Sequence, residues 1–178
     1  MEMRIFFLII IIFLCAFFQT AIFPTAVTPD LVLIAVISIN LFFGFKEGIV
    51  SALVGGLLLD VYSGFFGVST LALVLISYIL HFAKYYLFTH VNILVFLILV
   101  LCGTIFYSMA GFLFAKIFGL IGIAGHENNV LFINMLVYIM PREIAYNLSV
   151  AVIVFLLFKS AKRHQPSFKK YGLRANSI

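Results

Sequence analysis

The sequence predicts an all-α membrane protein: a polytopic bundle of six transmembrane helices with both termini on the cytoplasmic side. Three observations carry that expectation. The 178 residues are 65% hydrophobic and only 10% charged, with a mean hydropathy of +1.27. A soluble domain of this length carries about a quarter charged residues, and one small core cannot hide so large an apolar surplus from water. The apolar residues fall into runs long enough to span or nearly span a bilayer, separated by short turns. The basic residues gather on alternate loops, as the positive-inside rule requires.

The first run, from Ile5 to Phe23, follows Met1-Glu2-Met3-Arg4. It contains no polar region and no small-x-small cleavage site, so it reads as a retained first helix rather than a secretory signal. The second begins after Thr28-Pro29-Asp30 and runs to Phe43, with proline at a helix start, where its missing N–H costs nothing. A Gly44-to-Gly48 turn leads to the third run, Ile49 to Tyr62, and a Ser63-to-Gly67 turn to the fourth, Val68 to Phe88. The fifth covers Asn92 to Phe114. The sixth region is divided by Pro141: Val130 to Met140 is expected as a separate outer segment and Pro141 to Phe158 as the final span. Residues 1–160 thus form one membrane domain, and 161–178 a basic, disordered cytoplasmic tail.

The second and third runs are short, about 25 Å of helix at most. They are read as a tight spanning pair in thinned bilayer rather than a re-entrant hairpin, because a hairpin would bury the Lys46 turn. With six spans, Arg4, Lys46, Lys84 and six tail residues (Lys159, Lys162, Arg163, Lys169, Lys170, Arg174) share one side, against at most Lys116 and Arg142 on the other. The net charge of +5 therefore reports orientation and contact with membrane lipid headgroups, and no motif for nucleic acid accompanies it. Cys15 and Cys102 lie inside apolar runs as packing residues.

The third helix carries the most information. Gly44, Gly48, Ala52, Gly56, Asp60 and Gly64 recur every four residues, with Ser51 and Gly55 beside them. Small residues at that period make a groove for close helix approach. The groove either seats the chain's own helices or receives a partner. Asp60, near the outer end of the helix, either caps the start of the next segment or bonds backbone N–H groups of the Ser63-to-Gly67 turn, or else serves as an ion or proton relay or forms an ion pair with Arg142. The topology brings Asp60, Arg142 and Glu143 to similar depth, as a candidate buried polar cluster near the outer face. Asn40, Asn134, Tyr138 and Asn147 are expected as interhelical hydrogen-bonding glue. The histidines are scattered, and no cysteine/histidine cluster, phosphate loop or catalytic constellation is evident. No cofactor, metal or enzymatic activity is expected.

Pro29-Asp30-Leu31, Gly48, the Gly55-to-Asp60 run Gly-Gly-Leu-Leu-Leu-Asp, Ser63, Gly67, Leu71 and Tyr78 resemble the rod shape-determining protein MreD family of bacteria. The resemblance extends over residues 5–160 and is most specific between 29 and 78. It implies a non-enzymatic inner-membrane scaffold of cell-wall elongation, acting in regulation of cell shape. It also implies association with a single-span MreC-like protein and, through it, with an MreB-like filament and the RodA and penicillin-binding-protein synthases. The family is similar in helix arrangement to substrate-binding subunits of energy-coupling-factor transporters. That similarity implies an alternative, a vitamin-capture subunit working with an ATPase module.

Overall fold

A computed structural model describes residues 2–22, 29–63, 67–86, 92–120 and 135–163. Among these, six α-helices follow one another: α1 Glu2–Ile22, α2 Leu31–Phe42, α3 Phe45–Ser63, α4 Val68–Tyr86, α5 Ile93–Leu120 and α6 Met140–Arg163. Two stretches are long and apolar enough to cross a membrane by themselves, Ile93–Phe114 and Leu136–Leu157. The chain is all-α, and its element order follows the expected runs closely. The basic tail beyond residue 163 and Asn134 lie outside the described residues.

The helix α2 sits at the centre. It approaches every other helix, and each residue from Val32 to Leu41 is buried. The sequence explains why: Leu-Val-Leu-Ile-Ala-Val-Ile-Ser-Ile-Asn-Leu-Phe has no polar face, and a helix apolar all round belongs in a core. Its 12 residues span about 18 Å, well short of the roughly 30 Å hydrocarbon thickness. Protein rather than lipid surrounds α2, so its length has no bilayer to match.

The other helices wrap this axis. The helix α3 packs on α4, α2 and α1, while α5 packs on α4, α6 and α2. Between α1 and α6 no backbone approach occurs among the described residues. On α1 the buried residues Leu8, Ile12 and Ala16 follow a helical stripe toward the core, and Phe6, Phe7, Phe13 and Phe17 point away from it, exposed.

Two boundaries differ from expectation. The third helix starts at Phe45, not Ile49, because Gly44 at φ +125° turns the chain sharply after α2. Among the described residues Pro141 does not divide the last region into two separate segments, and 130–134 of the expected outer segment lie outside them. A π-turn, Met135–Ile139, runs directly into α6 at Met140. Proline lacks the N–H for the α-helical bond and its ring crowds the carbonyl four residues back. A wider turn before it, with Pro141 in the first turn of the α-helix proper, accommodates both constraints.

Candidate functional site

A helix leaves its first four N–H and last four C=O groups unpaired, and inside a bilayer no water is available to take them. The polar side chains of this bundle meet that demand, each from a neighbouring helix. Asp60, on the last turn of α3, is 1% exposed. Its carboxylate accepts from the backbone N–H of Gly67 at 2.9 Å, Ser69 at 2.7 Å and Thr70 at 3.1 Å, and from the Thr70 hydroxyl. These are the cap residue and the first turn of α4, where the helix dipole also favours negative charge. Asp60 therefore caps α4 from α3.

The small residues of α3 make this reach possible. A Cβ at Gly56, one turn before Asp60, would collide with the Thr70 backbone. A Cβ at Gly55 would lie 2.6 Å from Val32 Cγ1 and 3.2 Å from Ile12 Cγ2. At Gly48 it would lie 2.6 Å from Asn40 Nδ2. Ala52 is fully buried between these positions. The groove of Gly48, Ala52, Gly55 and Gly56 is thus filled by α1, α2 and α4 of the same chain.

A second set of polar residues closes the start of α2. Asp30 precedes the helix, yet its carboxylate makes no cap bond to it. Gln19 of α1 does so instead: its Oε1 accepts from Val32 N–H at 3.1 Å, while its Nε2 donates to Asp30 Oδ1 at 3.1 Å. Asn147 of α6 accepts from Asp30 N–H at 2.7 Å and donates through Nδ2 to Thr104 Oγ1 of α5 at 3.0 Å. Four helices meet at this knot. At the other end of α2, Lys84 of α4 donates to the Leu41 carbonyl at 2.7 Å, and Asn40 donates to the Ser77 carbonyl and hydroxyl at 2.9 and 2.7 Å.

The proposed cluster of Asp60, Arg142 and Glu143 is not assembled as such. Arg142 is exposed on α6, and among the described residues no ion pair joins it to Asp60 or Glu143. Glu143 accepts instead from the Ser108 hydroxyl of α5 at 2.7 Å. The physical reason is that adjacent helix positions point about 100° apart, so Glu143 faces the bundle while Arg142 faces out. Asn40 and Asn147 do bond between helices, whereas Tyr138 is exposed. Sequence reading missed Gln19, Thr104, Ser108 and Ser77. The discernible signal was spacing: Thr104 and Ser108 on α5, and Glu143 and Asn147 on α6, are each four apart on otherwise apolar faces.

Membrane-length apolar helices, exposed apolar faces and internal caps for buried helix ends define a polytopic α-helical membrane protein. Residues 1–161 match the family model described as rod shape-determining protein MreD, and the chain belongs to that family. Its members are non-enzymatic membrane proteins of rod-shape determination and cell-wall elongation. No curated protein and no solved structure matches the chain.

Proposed function

We propose that the chain is a six-span scaffold of the cytoplasmic membrane, with both termini on the cytoplasmic side, that holds other membrane proteins of the elongation machinery by its helices. The partner in direct contact is an MreC-like single-span protein, and the MreB-like filament and the RodA and penicillin-binding-protein synthases are reached through it. The observation that supports this most is how the polar groups are used. Asp60, Gln19, Asn147 and Lys84 are all engaged on backbone groups of this same chain, which leaves apolar helix faces as the means of contact. The exposed phenylalanines of α1 and the exposed Ile153, Leu156 and Leu157 of α6 supply such faces. Orientation rests on Lys46 and Lys84, which flank the turns at the end of the bundle where α2 and α4 finish.

Co-purification tests the reading directly. The full-length chain in mild detergent should carry the MreC-like protein with it, and its depletion should turn rods into spheres. Rods that persist under depletion, with no partner recovered, would exclude it. The alternative vitamin-capture role makes the opposite demand: a vitamin bound by the isolated chain and an ATPase pair co-purifying with it.

A further inference from the structure

Among the described elements α2 has five helical neighbours, α1, α3, α4, α5 and α6. Around it α1 packs on α3, α3 on α4, α4 on α5 and α5 on α6, and the one pair without a backbone approach is α1 and α6. Cylinders at the 8–10 Å spacing of packed helices leave room for about six around one. One position next to α2 is thus left over, and it falls between α1 and α6.

The helical phase of α2 locates the same seam. Val32 lies against Gly55 of α3 beside Ile12 of α1, Asn40 reaches Ser77 of α4, Ile37 lies against Gly103 of α5, and Phe42 packs on Phe155 of α6. At about 100° per residue these directions are about 0°, 80°, 140° and 280° around the axis, and Ala35 falls at about 300°, between α6 and α1. Ala35, 8% exposed, is the least buried residue from Val32 to Leu41, and Leu31 and Phe42 on the same side are half-buried. The walls are apolar. On α1, Ile11, Cys15 and Phe18 follow the edge that ends at Gln19, whose amide bonds Asp30, and Ile11 and Phe18 are 41% and 45% exposed. On α6, Val150 and Val154 are half-buried against the core.

We propose that the α1–α6 seam seats one transmembrane helix, that of the MreC-like single-span partner; the identity of that partner rests on the scaffold reading above. A helix of about 20 residues is roughly 30 Å long and about 10 Å wide, so half its girth laid in the seam buries roughly 500 Å². With the matching area of α1, α2 and α6 the total is about 1,000 Å², the size that a specific interface has to reach. The small Ala35 at the floor receives a large apolar side chain of the incoming helix, ridge into groove. The seam thereby joins the exposed faces of α1 and α6 into one binding surface with three helices in contact.

Photo-crosslinking in cell membranes, with the full-length chain and the MreC-like protein co-expressed, tests the seat. The crosslinking amino acid p-benzoylphenylalanine replaces Phe18 or Val154 at the seam, and the exposed Leu75 of α4 or Leu113 of α5 as controls. The seam positions should capture the partner through its transmembrane segment, and the controls should not. Ala35→Leu fills the floor and Ile11→Trp overhangs it, and each should lower the partner co-purified by about tenfold or more. Leu75→Trp should leave it unchanged. Gel filtration of each purified variant reports folding, and if Ala35→Leu fails there, Ile11→Trp decides. Partner recovered but captured only from the control positions would overturn the seat and leave the scaffold reading standing. So would a seam that captures a second copy of this chain, or one that captures nothing while the partner is recovered, since lipid or the chain itself would then fill it. No partner recovered with the parent chain would overturn both readings.

Discussion

Replacing Asp60 by alanine should be among the most damaging single changes in the bundle. Three backbone N–H groups and one hydroxyl lose their acceptor together. A buried donor left unpaired costs about 1–3 kcal/mol, so the three amides alone represent roughly 3–9 kcal/mol. Relief from removing a desolvated carboxylate, itself worth several kcal/mol, offsets part of that, and a net loss of about 3–5 kcal/mol is expected. Against a total stability of about 5–15 kcal/mol, that loss is severe. Asp60→Asn keeps one carbonyl acceptor but aims an N–H₂ at another donor, so it should lose roughly half as much. The assay is reversible unfolding of the full-length chain in a mixed-detergent titration, arranged as a double-mutant cycle with Thr70→Val. The Thr70 change should cost about 0.5–1.5 kcal/mol in the native background and almost nothing beside Asp60→Ala, because the partner is already gone. Additive losses, or an Asp60→Ala variant within about 0.5 kcal/mol of the parent, would refute the capping account.

The glycines give a test of sign. Gly56→Ala should destabilise clearly, since its Cβ would meet Thr70 backbone that cannot move aside, while Gly111→Ala, with nothing within 4 Å, should be neutral or stabilise by up to about 1 kcal/mol through helix propensity. Thermal unfolding of the two variants side by side reads the difference. Gln19→Leu should cost about 1–3 kcal/mol by leaving Val32 N–H without its acceptor. Native-state hydrogen exchange should show the loss as faster exchange at Val32.

The number of helices was legible in the sequence because apolar runs separated by glycine turns are a coarse signal. The four-residue repeat of Gly48, Ala52 and Gly56 likewise announces close packing whatever fills the groove. What fills it depended on tertiary arrangement: the Val32 and Ile12 side chains and the Thr70 backbone are 14 to 43 residues away from the glycines they meet. The central place of α2 was readable, since its sequence lacks a polar face, but judging the run by bilayer length obscured it. Gln19 was hidden for a different reason. A single amide in an apolar run carries no periodicity, and its meaning comes from Asp30 failing to cap its own helix.

Lys84 shows how one residue can serve a topological rule and a structural need together. Judged by loop charge, Lys46 and Lys84 are equivalent markers of the cytoplasmic side. Their surroundings separate them. Lys46 is exposed at the start of α3, whereas Lys84 donates to the Leu41 carbonyl at the end of α2. Because α2 is only about 18 Å long, its two ends cannot both reach the surfaces of a roughly 30 Å hydrocarbon layer. The carbonyls of its last turn need donors from within the protein. Phe43 and Gly44 N–H groups take the Ile39 carbonyl, and Lys84 takes that of Leu41, with its charge placed favourably at the negative end of the helix dipole. Lys84→Met should therefore cost about 2–3 kcal/mol, as a charged hydrogen bond to a buried helix end, while Lys46→Met should stay within about 0.5 kcal/mol. Equal losses in a chemical-unfolding series would mean that loop charge alone accounts for both residues. Unequal losses in the stated order would mean that the short central helix is held at that end by its neighbour's cation.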